Sequence, residues 1–148
     1  MIDAMDIALQ EARDAAGRGE VPVGCAVLDP QGRLLAQAGN RTEELSDPSA
    51  HAELLAMRAA ATVLGQPRLA GCDVVVSLEP CAMCAAAMVH FRPRRVVFGA
   101  YDPKGGGIEH GARIFAAPGC LHRPEVVGGV RETEATVLLK RFFQALRS

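Results

Sequence analysis

The sequence predicts an α/β protein, built as a three-layer α/β/α sandwich around a central mixed sheet of about five strands. Two observations support this fold class. Segments with helical spacing of apolar residues alternate along the chain with short apolar runs, many of them rich in valine. The 148 residues leave room for one domain, 1–148, and the apolar share of 49% against 22% charged residues is enough to bury a continuous core.

The first half of the chain carries two helical segments and a hairpin. Residues 2–17 repeat apolar side chains at helical spacing and end on glycines, which predicts a helix. Residues 21–28 and 33–38 are apolar runs separated by an Asp-Pro-Gln-Gly turn, which predicts a β-hairpin. The Asp-Pro pair at 47–48 predicts an N-cap and a first-turn proline for a helix over about 49–64.

The second half alternates strands and helices. A valine-rich run at 73–78 predicts a buried strand, and the proline after it opens a helix over 81–91. A further strand is predicted at 95–100, a short last strand at 125–130 and a final helix over 132–146. Because the ligand crevice of an open α/β sheet lies at the carboxyl ends of its strands, we expect a site where the first of these strands meets its helix.

Charge restricts the class of partner. A formal net charge of −1 and a pI near 6.4 argue against a nucleic-acid binder that grips any sequence. The two halves differ, since residues 1–80 carry 6 basic and 12 acidic side chains, whereas residues 81–148 carry 10 and 5. The folded surface can therefore present an acidic and a basic face, although ordinary solvated faces without a partner explain the split equally well.

Neither a membrane segment nor a secretory signal is expected. No uncharged apolar run reaches about 18 residues, and the first residues are acidic where a signal peptide would be basic. The sequence therefore predicts a soluble, cytoplasmic protein that binds no membrane. It contains five cysteines, two of them in a Cys-x-x-Cys pair, and in an intracellular chain this pattern favours metal or redox chemistry over disulfides.

The Cys-x-x-Cys pair is a candidate metal site. Cys81 and Cys84 are three residues apart near a helix start, so their sulfur atoms can share one face and hold one zinc ion. His51 as a third ligand gives a set with one open position, as in catalytic zinc sites. Glu53 could then move a proton without binding the metal. Helical spacing alone does not bring His51 and Glu53 together, because residues two apart diverge by roughly 200°.

Other readings of these cysteines remain open at this point. His51, the Cys-x-x-Cys pair and one further cysteine could form a closed structural zinc site. A redox dithiol is a weaker alternative, because the thioredoxin-type motif occurs in a different sequence context. Cys25, Cys72 and Cys120 are most simply explained as buried small apolar residues.

The motif His51-Ala52-Glu53, followed by Pro80-Cys81-Ala82-Met83-Cys84, resembles the cytidine deaminase-like zinc deaminases. Further matches in family order extend over nearly the whole chain and resemble the bacterial tRNA-specific adenosine deaminases. They include the segments 21–24, 40–41, 47–53 and 96–100.

The resemblance implies a reaction and a cofactor. His51, Cys81 and Cys84 match the ligands of one Zn²⁺ per subunit, and Glu53 matches the proton shuttle. The implied reaction is hydrolytic deamination of adenosine to inosine at the wobble position of a tRNA anticodon, with zinc-bound hydroxide attacking C6. The implied partners are the anticodon loop of tRNA and a second copy of the chain in a homodimer.

The resemblance also implies substrate contacts. Asn40 matches the side chain that reads the purine edge, and Val21 and Leu78 match apolar walls around the flipped base. Asp102 matches a ribose-contacting position near the anticodon loop, and Lys104 and Phe143 are expected to contact the substrate as well.

Two alternative functions remain. A small-molecule nucleobase deaminase, for example one acting on guanine, carries a similar asparagine and a similar His-Ala-Glu segment, and a pI near 6.4 suits a neutral substrate. A zinc-stabilised RNA-binding module without catalysis is the other. Glu53 argues against the module, because a purely structural metal site has no use for a proton shuttle.

Overall fold

A single mixed sheet organises the protein, seen in a computed structural model that describes residues 2–147. Its five strands are β1 (Gly24–Leu28), β2 (Leu34–Gly39), β3 (Asp73–Leu78), β4 (Arg95–Ala100) and β5 (Glu125–Val127). They lie in the order β2-β1-β3-β4-β5. β1 pairs antiparallel with both β2 and β3, whereas β3, β4 and β5 are parallel, so the carboxyl ends of β3 and β4 meet at one edge.

Four helices cover the two faces of this sheet. They are α1 (Ala4–Gly17), α2 (Ala52–Leu64), α3 (Ala82–Phe91) and α4 (Glu132–Arg147), and a 3-10 turn occupies Ile114–Ala116. α2 and α3 pack on one face and α1 and α4 on the other, which confirms the predicted three-layer sandwich. None of the helices within residues 2–147 is long and apolar enough to cross a bilayer.

Alternating residues of the strands supply both halves of the core. In β1, Cys25 and Val27 contact the core beneath α2 and α3, whereas Ala26 between them joins the core beneath α1. Fully buried large side chains such as Met57 and Phe98 fill the first of these cores. Each such side chain contributes about 1.5–3 kcal/mol by leaving water. The packing makes the sheet a rigid base for the loops at its edge.

Two strand boundaries differ from the prediction by more than one residue, while β2 is shifted by a single residue from the predicted 33–38. β1 begins at Gly24, because residues 21–23 form a tight turn in which the Val23 N–H donates to Val21 O at 2.8 Å. The predicted strand at 125–130 ends at Val127, since Gly129 has a φ of 79° that is incompatible with a strand. The first change places Val21 at the edge of the sheet, where it is free to line a cavity.

The start of α2 was predicted wrongly. The Asp47 carboxylate accepts hydrogen bonds from the Ser49 N–H at 2.9 Å and the Ser49 hydroxyl at 2.7 Å, which makes a local turn. The helix begins three residues later, at Ala52, after an extended His51 with φ −77° and ψ 150°. The Ala52 N–H donates instead to Asn40 Oδ1 at 3.0 Å, so the cap comes from the end of the β-hairpin.

Candidate active site

Three predicted ligands converge between α2 and α3. His51 Nδ1 lies 3.6 Å from Cys81 Sγ and 3.5 Å from Cys84 Sγ, and the three ligand atoms all lie within 4.8 Å of one another. A tetrahedral zinc ion with ordinary bond lengths holds its nitrogen and sulfur ligands roughly 3.5 Å apart. The donor set therefore fits zinc in both chemistry and spacing.

Helix starts place all three ligands. Cys81 is the extended residue before α3, with φ −71° and ψ 173°, and Cys84 lies in the first turn of that helix. His51 holds the same position before α2. The positive end of a helix dipole favours the thiolate form that a metal requires. A hydrogen bond with Cys84 lowers the pKa of Cys81 to about 4, against an opposing effect of burial.

Glu53 lies beside these ligands without being one of them. It occupies the first turn of α2 and is 3% exposed, and burial raises the pKa of its carboxyl to about 7. A carboxyl with that pKa can accept and return a proton near neutral pH. Because His51 precedes the helix and only Glu53 belongs to it, the helical divergence of residues two apart does not apply here.

Two connected cavities open above the ligands. The inner cavity, of about 320 Å³, is lined by His51, Glu53 and Cys81, and also by Val23, Thr42 and Glu79. The outer cavity, of about 600 Å³, is lined by Tyr101, Lys104, Leu139 and Phe143. Four residues line both cavities and so mark the passage between them, namely Val21, Leu78, Asp102 and Gly105.

Every predicted substrate residue lines one of these cavities. Val21, Leu78 and Asp102 lie at the passage, Asn40 lines the inner cavity, and Lys104 and Phe143 line the outer one. Sequence reasoning missed Thr42, Glu79, Tyr101 and Leu139 as lining residues. Glu79 stands immediately before the Pro-Cys-x-x-Cys motif, and this adjacency was the one available signal for it.

Asn40 is fixed from three sides and 7% exposed. Its N–H donates to Val23 O at 3.1 Å, its carbonyl accepts from Arg18 Nη2 at 3.0 Å, and its Oδ1 caps α2 through the Ala52 N–H. The capping bond occupies Oδ1, so the side-chain amide nitrogen is the group that Asn40 can offer to a ligand in the inner cavity.

Glu79 is the second buried carboxylate of the inner cavity, 2% exposed. Oε1 accepts from the Asp102 N–H at 3.0 Å and lies 2.8 Å from His110 Nδ1. Oε2 accepts from the N–H groups of Ile108, Glu109 and His110 at 3.2, 2.8 and 3.0 Å. Burial favours the neutral acid, but the hydrogen bonds outweigh it and lower the pKa of Glu79.

Glu20 plays a similar part for the segment 42–44, whose first residue, Thr42, lines the inner cavity. It is 1% exposed and accepts from the Thr42 hydroxyl and from the N–H groups of Glu43 and Glu44 at 3.3, 3.1 and 2.8 Å. Burial again favours the neutral acid, and the hydrogen bonds together with nearby Arg18 lower the pKa of Glu20.

The other cysteines are not part of the candidate ligand set. Cys25 and Cys72 are buried in the core, as predicted, whereas Cys120 is half-buried and its Sγ lies 3.1 Å from His122 O. Among residues 2–147, the donors close enough to share one ion are His51 and the Cys-x-x-Cys pair. This three-ligand set is the open arrangement expected of catalytic zinc rather than a closed structural site.

Comparisons with known proteins agree with this geometry. The family model of the cytidine and deoxycytidylate deaminase zinc-binding region matches residues 2–100. A tRNA-specific adenosine deaminase from Agrobacterium fabrum is 52% identical over 143 residues, which cover 97% of this chain and 93% of that protein.

Solved structures give the same picture. The structure of a tRNA:A34 deaminase, studied for A-to-I editing at the wobble position of transfer RNA, is similar with a TM-score of 0.90 and 50% identity, covering 92% of this chain and 98% of that one. Guanine deaminase from Nitrosomonas europaea is more distant, with a TM-score of 0.75 and 25% identity over 94% and 82% of the two chains. The chain therefore belongs to the zinc-dependent cytidine and deoxycytidylate deaminase family, and within it groups with the tRNA-specific adenosine deaminases.

Proposed function

We propose that the protein deaminates adenosine to inosine at the wobble position of a tRNA anticodon. The observation that carries this proposal is the inner cavity of about 320 Å³, which brings a buried Glu53 beside a three-ligand zinc centre. The cavity is of a size that admits a purine, and the relatives at 52% and 50% identity act on tRNA by their names.

The reaction needs an activated water and a group that moves its proton. His51, Cys81 and Cys84 would hold a zinc ion, which would make a water molecule acidic enough to ionise near neutral pH. The Glu53 carboxylate accepts a proton from the water as its oxygen bonds to C6. Glu53 then returns that proton to the amino group, which leaves as ammonia while the ring becomes that of inosine.

The inner cavity orients the base for this transfer. The Asn40 amide nitrogen can donate a hydrogen bond to a ring nitrogen, while its Oδ1 stays bonded to the Ala52 N–H. Val21 and Leu78 supply apolar walls at the passage between the cavities, and Asp102 lies there within reach of a ribose. A base flipped out of a loop would be held between these walls.

The outer cavity accommodates the rest of an RNA loop. Its volume of about 600 Å³ exceeds what a single base needs. Phe143 and Tyr101 offer aromatic faces for stacking, and the Lys104 ammonium can pair with a phosphate. A free base would leave this lining unused, which favours an RNA substrate over a free nucleobase.

The proposal extends to assembly and location. We take residues 1–148 as one deaminase domain and expect it to form a homodimer in the cytoplasm, where tRNA is processed. An apolar surface of α3, with Met83 39% exposed, supports the homodimer because such surfaces commonly lie at interfaces. Analytical ultracentrifugation of the zinc-loaded protein tests it, and a monomer at micromolar concentration would contradict it.

The decisive experiment compares substrates. Zinc-loaded protein is incubated with an anticodon stem-loop carrying adenosine at the wobble position, and in parallel with guanine, cytosine and free adenosine. Inosine at the wobble position, with ammonia released in equal amount, is the expected result. The Glu53→Ala protein is the control for background hydrolysis.

Guanine deamination is the second candidate function, favoured by the similarity to a guanine deaminase at 25% identity. Release of ammonia from guanine, with the stem-loop left unchanged, would establish it and refute the tRNA proposal. The assay thus separates the two functions without any assumption about the mode of binding.

A further inference from the structure

We propose that Glu79 is a positioning residue, whose carboxylate holds the wall of the substrate cavity in place through main-chain hydrogen bonds. This wall is formed by Asp102, Lys104 and Gly105, which belong to the segment 102–110, named here the cavity loop. The identity of the substrate in this inference rests on the proposed function, whereas the claim about the loop does not.

Both carboxylate oxygens of Glu79 accept hydrogen bonds from the cavity loop. Five hydrogen bonds reach its two oxygens, four from main-chain N–H groups and one from the His110 ring. The donors come from both ends of the loop, at Asp102 and at residues 108–110. A single side chain therefore closes this loop on itself, and it does so from the strand end that leads into the metal-binding helix.

Close main-chain packing supports this attachment. The Gly107 N–H donates to Pro80 O at 2.7 Å, directly beside Glu79. A Cβ atom added at Gly106 would lie 2.5 Å from the carboxyl carbon of Glu79 and 2.6 Å from Asp102 O. The loop thus lies directly against the carboxylate, with no room for a side chain between them.

The cavity loop carries the groups that join the two cavities. Asp102 and Gly105 line both cavities, and Lys104 between them lines the outer one. The Gly105 N–H also donates to Asp102 Oδ1 at 2.9 Å, so the tip of the loop is ordered from its first residue. Without the hydrogen bonds to Glu79, the loop residues around the passage would lose their fixed positions. A substrate that spans both cavities must fit this passage.

Replacing the carboxylate by an amide breaks this arrangement with little change in size. A glutamine offers one acceptor oxygen and turns an NH₂ donor toward N–H groups that need acceptors. Buried donors left without partners cost more than the original bonds contributed. Glu79 itself is 2% exposed and its oxygens face the loop donors, so it acts on the substrate through the loop.

The test uses the zinc-loaded, full-length Glu79→Gln protein and three measurements. Amide hydrogen exchange at residues 102, 108, 109 and 110 should accelerate by about tenfold or more, while amides of α2 keep their protection. The KM for the anticodon stem-loop should rise by about tenfold or more, with kcat changed less than about threefold and one zinc ion retained. Unchanged exchange, or a fall in kcat at constant KM, would overturn the proposal.

Glu109→Gln is the matched control, since it also removes one carboxylate charge, here from an exposed side chain of the cavity loop itself. We expect its KM and exchange to stay within about twofold of the wild type. An equal rise in KM in both variants would mean that lost charge, not lost positioning, is responsible.

Gly106→Ala gives a second route if Glu79→Gln does not fold. The atoms nearest to the added methyl group belong to Glu79 and Asp102, so it would push the cavity loop away from the carboxylate. The same increases in exchange and KM are expected, and a normal KM in this variant would refute the inference.

Failure of this inference is distinct from failure of the proposed function. Wild-type inosine formation on the stem-loop tests the function, whereas exchange measured without RNA tests the attachment of the loop. If the wild type deaminates guanine instead, the KM and kcat comparison is made with guanine.

Discussion

Glu53 and Glu79 are buried carboxylates of the same cavity with opposite properties. They are 3% and 2% exposed, yet burial raises the pKa of Glu53 to about 7, while the pKa of Glu79 is lowered. The difference is in their hydrogen-bond donors, since Glu79 accepts five hydrogen bonds from the cavity loop and Glu53 has no comparable set. Burial alone therefore does not decide what a glutamate does. Hydrogen-bond donors stabilise the anionic form of Glu79, and their scarcity leaves Glu53 able to exchange a proton.

Loss of a zinc ligand should abolish the reaction in which Glu53 takes part and leave the hydrogen bonds of Glu79 unchanged. In Cys81→Ala we expect no detectable deamination and loss of bound zinc, because two ligands cannot retain the ion at catalytic affinity. The Glu79 attachment requires no metal, so amides 108–110 should keep their slow exchange. Zinc content, inosine formation and hydrogen exchange check these outcomes.

Cys120→Ala is the matched control, because Cys120 is also half-buried but lies outside the metal centre. Its activity should stay within about twofold of the wild type. Retention of zinc and activity by Cys81→Ala would show that the metal centre has been assigned wrongly.

Replacing Glu53, the glutamate that exchanges a proton, should lower the rate of deamination without removing the metal. Glu53→Gln keeps the size of the side chain but cannot accept a proton, and we expect kcat to fall by about 10²–10⁴-fold, the range of general acid–base catalysis. Single-turnover inosine formation and zinc content are the measurements. Glu79→Gln is the comparison, since it should alter KM instead of kcat.

A Glu53→Gln protein that loses its zinc would contradict this division of roles. Glu53 would then be a ligand or a determinant of folding, not a proton shuttle.

Glu20 offers a third buried carboxylate that should behave as Glu79 does. Its folded-state pKa is lowered, so the ionised form stabilises the protein fully above the unfolded pKa, and this contribution is lost as the pH falls through the folded value. Glu20→Gln should therefore cost about 1–3 kcal/mol of unfolding free energy at pH 7. The difference in unfolding free energy between Glu20→Gln and the wild type, called here the gap, should narrow as the pH falls below the ordinary carboxyl pKa of 4.5.

Urea unfolding at pH 7 and at about pH 4 measures this gap, with zinc held constant. Glu43→Gln is the control, because Glu43 contributes only its main-chain N–H to Glu20 and its side chain is exposed. A gap that widens toward low pH would mean that Glu20 is neutral in the folded protein.

Local sequence patterns predicted the elements but not the contacts that depend on distant main chain. The strand at 73–78 and the start of α3 near Cys81 follow from a valine run and a proline. The start of α2 was missed, because Asp47 bonds to Ser49 and the cap comes from Asn40, twelve residues before the helix.

In the site, too, local sequence patterns did not predict the contacts with distant main chain. Metal-site chemistry proposed His51 and Glu53, and only the resemblance implied that they converge. The structure brings them together because His51 is extended and lies outside the helix. The role of Glu79 had no sequence signature of its own, since its donors are main-chain N–H groups 23 to 31 residues away. Such groups exist at every residue and become specific only once the chain is folded.

Asn40 accepts a main-chain hydrogen bond at the start of α2, the helix that carries Glu53, and two substitutions test what this bond contributes. Asn40→Ala removes the acceptor for the Ala52 N–H and should cost about 1 kcal/mol of unfolding free energy, as loss of a helix cap does. Asn40→Asp keeps that acceptor at a helix N-terminus, so its stability should match the wild type.

Substrate binding should separate from stability in this pair. Both variants lack the amide nitrogen, and a donor missing from one hydrogen bond to the base raises KM by about threefold to tenfold. Urea unfolding and KM for the stem-loop therefore report two different atoms of one side chain. If Asn40→Asp binds the stem-loop as the wild type does, the amide nitrogen of Asn40 does not contact the base, and the side chain serves only as the cap of α2.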